Sequence, residues 1–251
     1  MKKILLLFFL FVVPWSVFSQ SVTDPRTGIA IVFTEEENMF PASWYGDEIS
    51  GKGLSLDTAE YARSEKMILK ALSKYPVKVI TNNLKKIYVL HSIQFYAQTF
   101  GGTNSNDVVY VGNKGVQMGY TDEYLEQTFH HEFSSVLLRK HPSYFDEEKW
   151  KAANSKDFSY GAGGVEALKS GESGQEFDAA LNEQGVLCQY GKASVEEDFN
   201  TFAENLFLAT GNFRELISRY ERLNTKAQLI INFYKKINPV FTGKYFEKIS
   251  K

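Results

Sequence analysis

The stretch TFHHEFSSVLLRKH, residues 128–141, carries three of the chain's four histidines. Thr121 upstream is a good helix cap, Asp122 and Glu123 suit the positive end of a helix dipole, and Pro142 ends the run. A helix from about 121 to 141 follows. Successive residues turn by 100°, so Leu125, Phe129, Phe133, Val136 and Leu137 form an apolar stripe. His131 and Ser135 fall together on the opposite, polar face with Thr128 and Tyr124. His130 lies between the two faces and reads as a half-buried helix residue.

His131 and Glu132 spell the first half of HExxH. In that helical pattern two imidazoles one turn apart hold zinc, and the glutamate between them takes a proton from the metal-bound water. Ser135 stands where the second imidazole belongs, and a hydroxyl on so short a side chain is no substitute. His141 is the lesser alternative ligand. It lies ten residues after His131, as the last histidine of HExxHxxGxxH does. That longer pattern needs a glycine at the position of Leu138 so that the chain can turn back. Without it, a continuing helix carries His141 about 15 Å along the axis.

The surroundings set the architecture. SLDTAEYARSEKMILKALSKYP reads as a helix stopped by Pro76, followed by the strand-rich runs VKVIT, KKIYVLHSIQFY and DVVYVGN around the turn GGTNSND. His91 sits inside the second strand and is expected to pack there. Residues 143–192 contain many glycines and only short helical patches such as GGVEALKS. They are too extended for an idle linker in a compact domain, so they are expected to cover something. From Val195 the chain returns to helix, first EEDFNTFAENLFLAT and then NFRELISRYERLNTKAQLIINFYKKIN up to Pro239. The fold class is α+β, with a small, mainly antiparallel sheet, the HHEFSS helix and a mainly helical second half.

The ends and the composition bound the function. MKKILLLFFLFVVPWSVFSQ reads as a secretory leader over residues 1–19, cleaved after Ser19. Its apolar run is too short to span a bilayer, so no transmembrane segment remains after cleavage and the chain is expected to be exported, periplasmic or extracellular. Residues 20–54, with Pro25, Pro41 and three glycines from 46 to 53, read as an irregular N-terminal extension wrapped over a core, in which the run IAIVF (29–33) can form a strand; residues 55–251 form the main domain. A net charge of -2 spread without blocks argues against a nucleic-acid partner. The single cysteine, Cys188, excludes an internal disulfide and is expected to be buried.

The order helix, sheet, HExx helix, long connection, acidic helix resembles the zincin fold in its glutamate-ligand form. More narrowly, HEF with GVLCQYGKASVEEDF and FAE is similar to the zinc-binding metallopeptidases found with bacterial outer-membrane nutrient-uptake systems. In that family a tyrosine is followed, seven residues later, by a glutamate opening an EDFAE-like helix; here these are Tyr190 and Glu197. The resemblance covers roughly residues 55–235. It implies zinc as cofactor, His131 as first ligand, Glu197 as third ligand, Glu132 as general base and Tyr190 as a group steadying an oxyanion. The chain departs from the pattern at Ser135 and at EDFNTFAE, three residues longer than EDFAE. The longer helix leaves Glu197 and Glu204 seven apart on one face, and either can be the carboxylate aimed at the site. Three readings follow: an exported zinc metallopeptidase with an altered site acting on a peptide or protein, a cell-envelope binding or scaffold protein whose cleft recognises a peptide or glycan without cutting it, and an unrelated helical exported protein with no site.

Overall fold

A computed structural model describes residues 20–249, so the leader lies outside the described residues. The strands are β1 (Ser21–Thr23), β2 (Ala30–Val32), β3 (Lys52–Ser55), β4 (Lys86–Phe95), β5 (Gln98–Phe100), β6 (Gly102–Asn104) and β7 (Val108–Gly112). The helices before and beside them are α1 (Tyr61–Ser73), α2 (Val77–Asn83) and α3 (Asp122–Lys140). The second half holds α4 (Glu147–Ala152), α5 (Gly164–Ser170), α6 (Ala179–Gln184), α7 (Val195–Leu208), α8 (Gly211–Arg219), α9 (Glu221–Ile237) and α10 (Gly243–Lys248).

The seven strands make one sheet in the order β1-β2-β4-β7-β6, with β3 and β5 pairing with the far half of β4. β4 is parallel to β2 and β7; the other pairings are antiparallel. Alternation along the strands divides the core. Ile87, Val89, Val109 and Val111 face the helices, where Phe129, Phe133 and Val136 of α3 meet α1 and α7. Tyr88, Leu90 and Tyr110 face the other way and are covered by Met39, Phe40 and Trp44. Mixed α and β structure with a helical second half agrees with the α+β expectation at that level. Among the described residues no helix is long and apolar enough to cross a membrane.

Three expectations need correcting. The N-terminal extension is less irregular than expected: β2 lies in IAIVF and the segment after it covers one face of the sheet, as expected, but β1 and β3 add two strands that were not expected. Strands of three or four residues are too short to show alternation in sequence. VKVIT is not a strand but the start of α2. Pro76 precedes it at the N-cap, and Val79, Ile80 and Asn83 are buried at helical spacing, so packing overrides the β-propensity of valine and isoleucine. The run from Asn212 to Ile237 is two helices, not one. Tyr220 is extended between α8 and α9, and Asn224 Nδ2 donates to Ile217 O, answering a carbonyl that the break exposes.

Candidate functional site

Thr121 Oγ1 accepts from Tyr124 N and opens α3, which runs between the sheet, α1 and α7. The helix is not amphipathic in the ordinary sense. Everything from Phe129 to Leu137 is buried, and the side expected to meet water meets α7 instead. α7 answers it with polar residues at helical spacing: Glu197, Asn200 and Glu204. Ser194 Oγ caps α7 by accepting from Glu197 N, which fixes where the first of them sits.

His131 lies between two carboxylates. Its Nδ1 is 2.7 Å from Glu204 Oε2 and its Nε2 is 3.0 Å from Glu197 Oε2, across 73 and 66 residues of sequence. Burial opposes a charge on the ring. The two carboxylates outweigh it and hold the imidazole's pKa well above the ordinary value, so both ring nitrogens donate. Gln127 Nε2 donates to the other oxygen of Glu204 at 2.7 Å. Tyr190 stacks on His131, ring centroids 5.8 Å apart, and its hydroxyl is pushed up first by burial and then by the nearby charges of Glu197 and Glu132.

Glu132 points to the sheet edge. Asn104 Nδ2 on β6 donates to its Oε2 at 2.5 Å. Burial raises its pKa to about 7, helped by Glu197 and Glu196 and opposed by the charge on His131 and the bond from Asn104. β6 approaches this closely because residue 102 is glycine: a methyl there would lie 2.6 Å from Thr128 Cγ2 and 2.7 Å from Glu132 Oε1.

Ser135 is buried, and Asn200 Nδ2 donates to its Oγ at 2.7 Å. Ser134 Oγ donates to Asn200 Oδ1, completing a ladder across the α3–α7 interface. Asn200 belongs to the three residues by which EDFNTFAE exceeds EDFAE. The two departures from the family pattern therefore touch each other.

The other histidines lie elsewhere. His130 is fully buried, not half-buried. It faces α1, with Nδ1 2.9 Å from Tyr75 Oη and its ring stacked on Phe207. Burial, with Lys74 adding to it, lowers its pKa to about 4 against the pull of Glu126. His141 caps the end of α3, stacks on Tyr144 and sits 3.1 Å from Asn83 Oδ1 on α2. His91 is half-buried in β4. Cys188 is buried, and burial pushes its thiol up to about 12, so it is no nucleophile.

A cavity of about 210 Å³ opens over the site, lined by His131, Glu132 and Glu204, by Phe100, Tyr124 and Tyr190, and by Leu168, Ser173 and Gln175. The last three come from the long connection, which does cover something. Gly161 N and Gly163 N bond to Lys192 O and Ala193 O, and Lys169 on α5 lies over the Tyr96 ring at 5.3 Å. α5 thus reaches from the α7 side toward the β4–β5 turn. A wider groove of about 620 Å³ between α4, α6 and α9 contains no comparable group; its buried Asn182 spends its amide on Val186 O and Leu187 O.

The donor set does not suit a zinc ion of HExxH type. His131 Nε2 and Glu197 give two donors, Glu204 is on the far side of the ring, and Ser135 is committed to Asn200. Among the described residues no group of three His, Cys, Asp or Glu side chains is arranged to hold a metal.

Sequence reasoning found His131, Glu132, Tyr190, Glu197 and Glu204, and the structure brings all five together. It missed Asn104, Gln127 and Asn200. Only Asn200 had a visible signal, lying three residues after Glu197 on the same helix face. It also missed a buried centre behind α7, where Lys226 Nζ is 2.5 Å from Asp198 Oδ2, which also accepts from Tyr160 Oη and Trp150 Nε1. Compared with protein-family models, curated proteins and solved structures, the chain gives no match.

Proposed function

We propose that this chain is an exported peptide-binding protein built on a metallopeptidase-type site that no longer holds catalytic zinc. One observation carries the reading. Ser135, at the second ligand position, is buried and bonded to Asn200, while His131 Nε2 is ion-paired with the carboxylate that would have been the third ligand. The site is a closed hydrogen-bond network around a charged imidazole, without the three protein ligands that a catalytic zinc needs.

Binding has a structural basis at the sheet edge. Ser105 N bonds to Val108 O and Gly112 N to Gly101 O, so residues 101, 103 and 105 of this ladder face β7. By the alternation of an antiparallel pair, the backbone N–H and C=O of Gly102 and Asn104 point outward, and β6 is an edge strand. An extended peptide can add there as a further strand beside the cavity. The exported location rests on the leader-like residues 1–19.

The test is to incubate the purified chain with a library of peptides, with and without added zinc, following cleavage by mass spectrometry and binding by calorimetry. The proposal expects saturable binding of extended peptides and no zinc-dependent cleavage. Zinc-dependent cleavage abolished by Glu132→Gln would establish the enzyme instead.

A further inference from the structure

We infer that the cavity between β6, α3 and α5 takes a primary ammonium group, from the free N-terminus of an extended peptide or from a lysine side chain, with Glu132 as its counter-charge. This rests on the peptide-binding reading and says what such a peptide must carry.

The cavity is short of positive charge. Three carboxylates, Glu132, Glu197 and Glu204, surround one imidazolium, and no lysine or arginine lines the space. Two of the three are committed. Both oxygens of Glu204 accept bonds, from Gln127 and from His131, and Glu197 holds the other ring nitrogen. Glu132 is different. It is only 8% exposed, its Oε2 accepts from a neutral amide, and its Oε1 accepts from no donor among the described residues. Arg139, the nearest guanidinium to Asn104, is already spent on Glu196, Asn104 and Ser105 O. That oxygen is not sealed off, and a largely buried carboxylate lining a cavity without a cation gains from a ligand that brings one.

The shape selects the ligand. A volume of about 210 Å³ is below the several hundred that enclose a drug-sized molecule, and suits a chain end or a side-chain tip. A guanidinium asks for two parallel acceptor oxygens, and Glu132 has one left. A compact ammonium needs one charged acceptor and tolerates aromatic neighbours, and Tyr124, Tyr190 and Phe100 line the space. Delivery is built in. Asn104, whose side chain holds Glu132, is also one of the edge residues whose backbone is turned outward, so a strand paired there runs past the carboxylate.

Calorimetry at mildly alkaline pH with five probes tests this. They are an alanine hexapeptide with a free N-terminus, its N-acetylated form, an acetylated alanine peptide with one central lysine, the same peptide with norleucine, and n-butylammonium. The free and lysine-bearing peptides should bind at least about 10-fold more tightly than the acetylated and norleucine forms, the worth of a charge-assisted bond. Glu132→Gln should reduce that preference to near unity while the far-ultraviolet spectrum and melting temperature stay put. If that variant fails to fold, the comparison on the unaltered chain decides alone. The two cationic arms show which source, chain end or side chain, is preferred. Equal affinity for charged and uncharged peptides overturns the inference and leaves peptide binding standing, as does a preference that survives Glu132→Gln. Binding of n-butylammonium without any peptide keeps the inference and removes the strand-pairing reading. No binding by any probe removes both.

Discussion

Ser135 and Asn200 meet where an HExxH helix would present an imidazole to a metal, and the pair explains why neither departure from the family pattern stands alone. A serine by itself would leave a gap beside α7; an asparagine by itself would leave a buried amide N–H without its acceptor, Ser134 still bonding the amide oxygen. Restoring the ligand therefore takes two changes. Ser135→His combined with Asn200→Ala should raise zinc affinity by more than about 100-fold over the unaltered chain, since a whole ligand is worth more than the 10- to 100-fold of an outer partner. Zinc titration by competition with a chelating dye checks it, and no gain would mean that the face of α3 at residue 135 does not look into a metal-sized space. Gly102 makes a second prediction at this scale. Gly102→Ala forces β6 from α3, and should lower unfolding free energy by about 1–3 kcal/mol in chemical denaturation. Both predictions start from residues of which only one was conspicuous in the sequence. Ser135 stood out because the letters around it set an expectation. Gly102 did not, because its role is a distance between two elements.

α3 and α7 together make the site, and the α1 side of α3 bears on how the protein responds to acid. His130, on the α1 side of α3, is buried with its pKa lowered to about 4, against an ordinary value of 6.5. Between those values the unfolded chain binds a proton that the folded chain refuses, so the contribution of His130 to stability is full above about pH 6.5 and falls as pH drops toward 4. The loss should be about 2–4 kcal/mol at one site. Glu126 adds to it lower down. Burial pushes its carboxyl up, but His130, Lys70 and Lys74 more than reverse this and hold it well below the usual range, so its contribution is lost as the group is forced to protonate. Glu132, raised to about 7, gains stability over much of the same range, so the His130 contribution is read as the difference in melting temperature between the unaltered chain and His130→Asn, which should change steadily against the unaltered chain as pH falls from 6.5 to 4. The elements themselves were partly legible. The sequence shows the Thr121 cap and the apolar spacing of α3, and the start of α7 at Val195, while the Ser194 cap is seen only in the structure. That α3 is buried on its polar side was not legible, because periodicity shows which residues are polar but not whether water or another helix faces them. The helical α2 was misread because β-branched residues weigh toward strand until packing is known.

For the whole molecule, the sheet and the first helices hold one side of the site, and the helical second half holds the other. Lys226 on α9 and Asp198 on α7 tie that second half together in a fully buried pair, with Trp150 and Tyr160 closing around them. Lys226→Met removes the cation and leaves Asp198 buried without it. Such a change should cost about 3–5 kcal/mol, seen as a lower denaturation midpoint, with peptide affinity unchanged wherever the chain remains folded. The pairing of residues this far apart is invisible to pattern reading, since one lysine among many in an amphipathic helix looks like a surface charge. The class of architecture was legible because the order of helices and strands is itself a sequence property. The topology of the sheet was not, because β1 and β3 are too short to alternate and the order in which strands pair is not a local property of the chain.

On the proposal, a buried ion-paired network stands where a catalytic metal would be held. Zinc per molecule, measured by plasma mass spectrometry on protein purified without chelator, equilibrated with zinc and dialysed, tests it most directly. The account predicts far less than one zinc per chain, rising toward one in the Ser135→His, Asn200→Ala variant. One tightly held zinc in the unaltered chain, lost in His131→Ala, would contradict it.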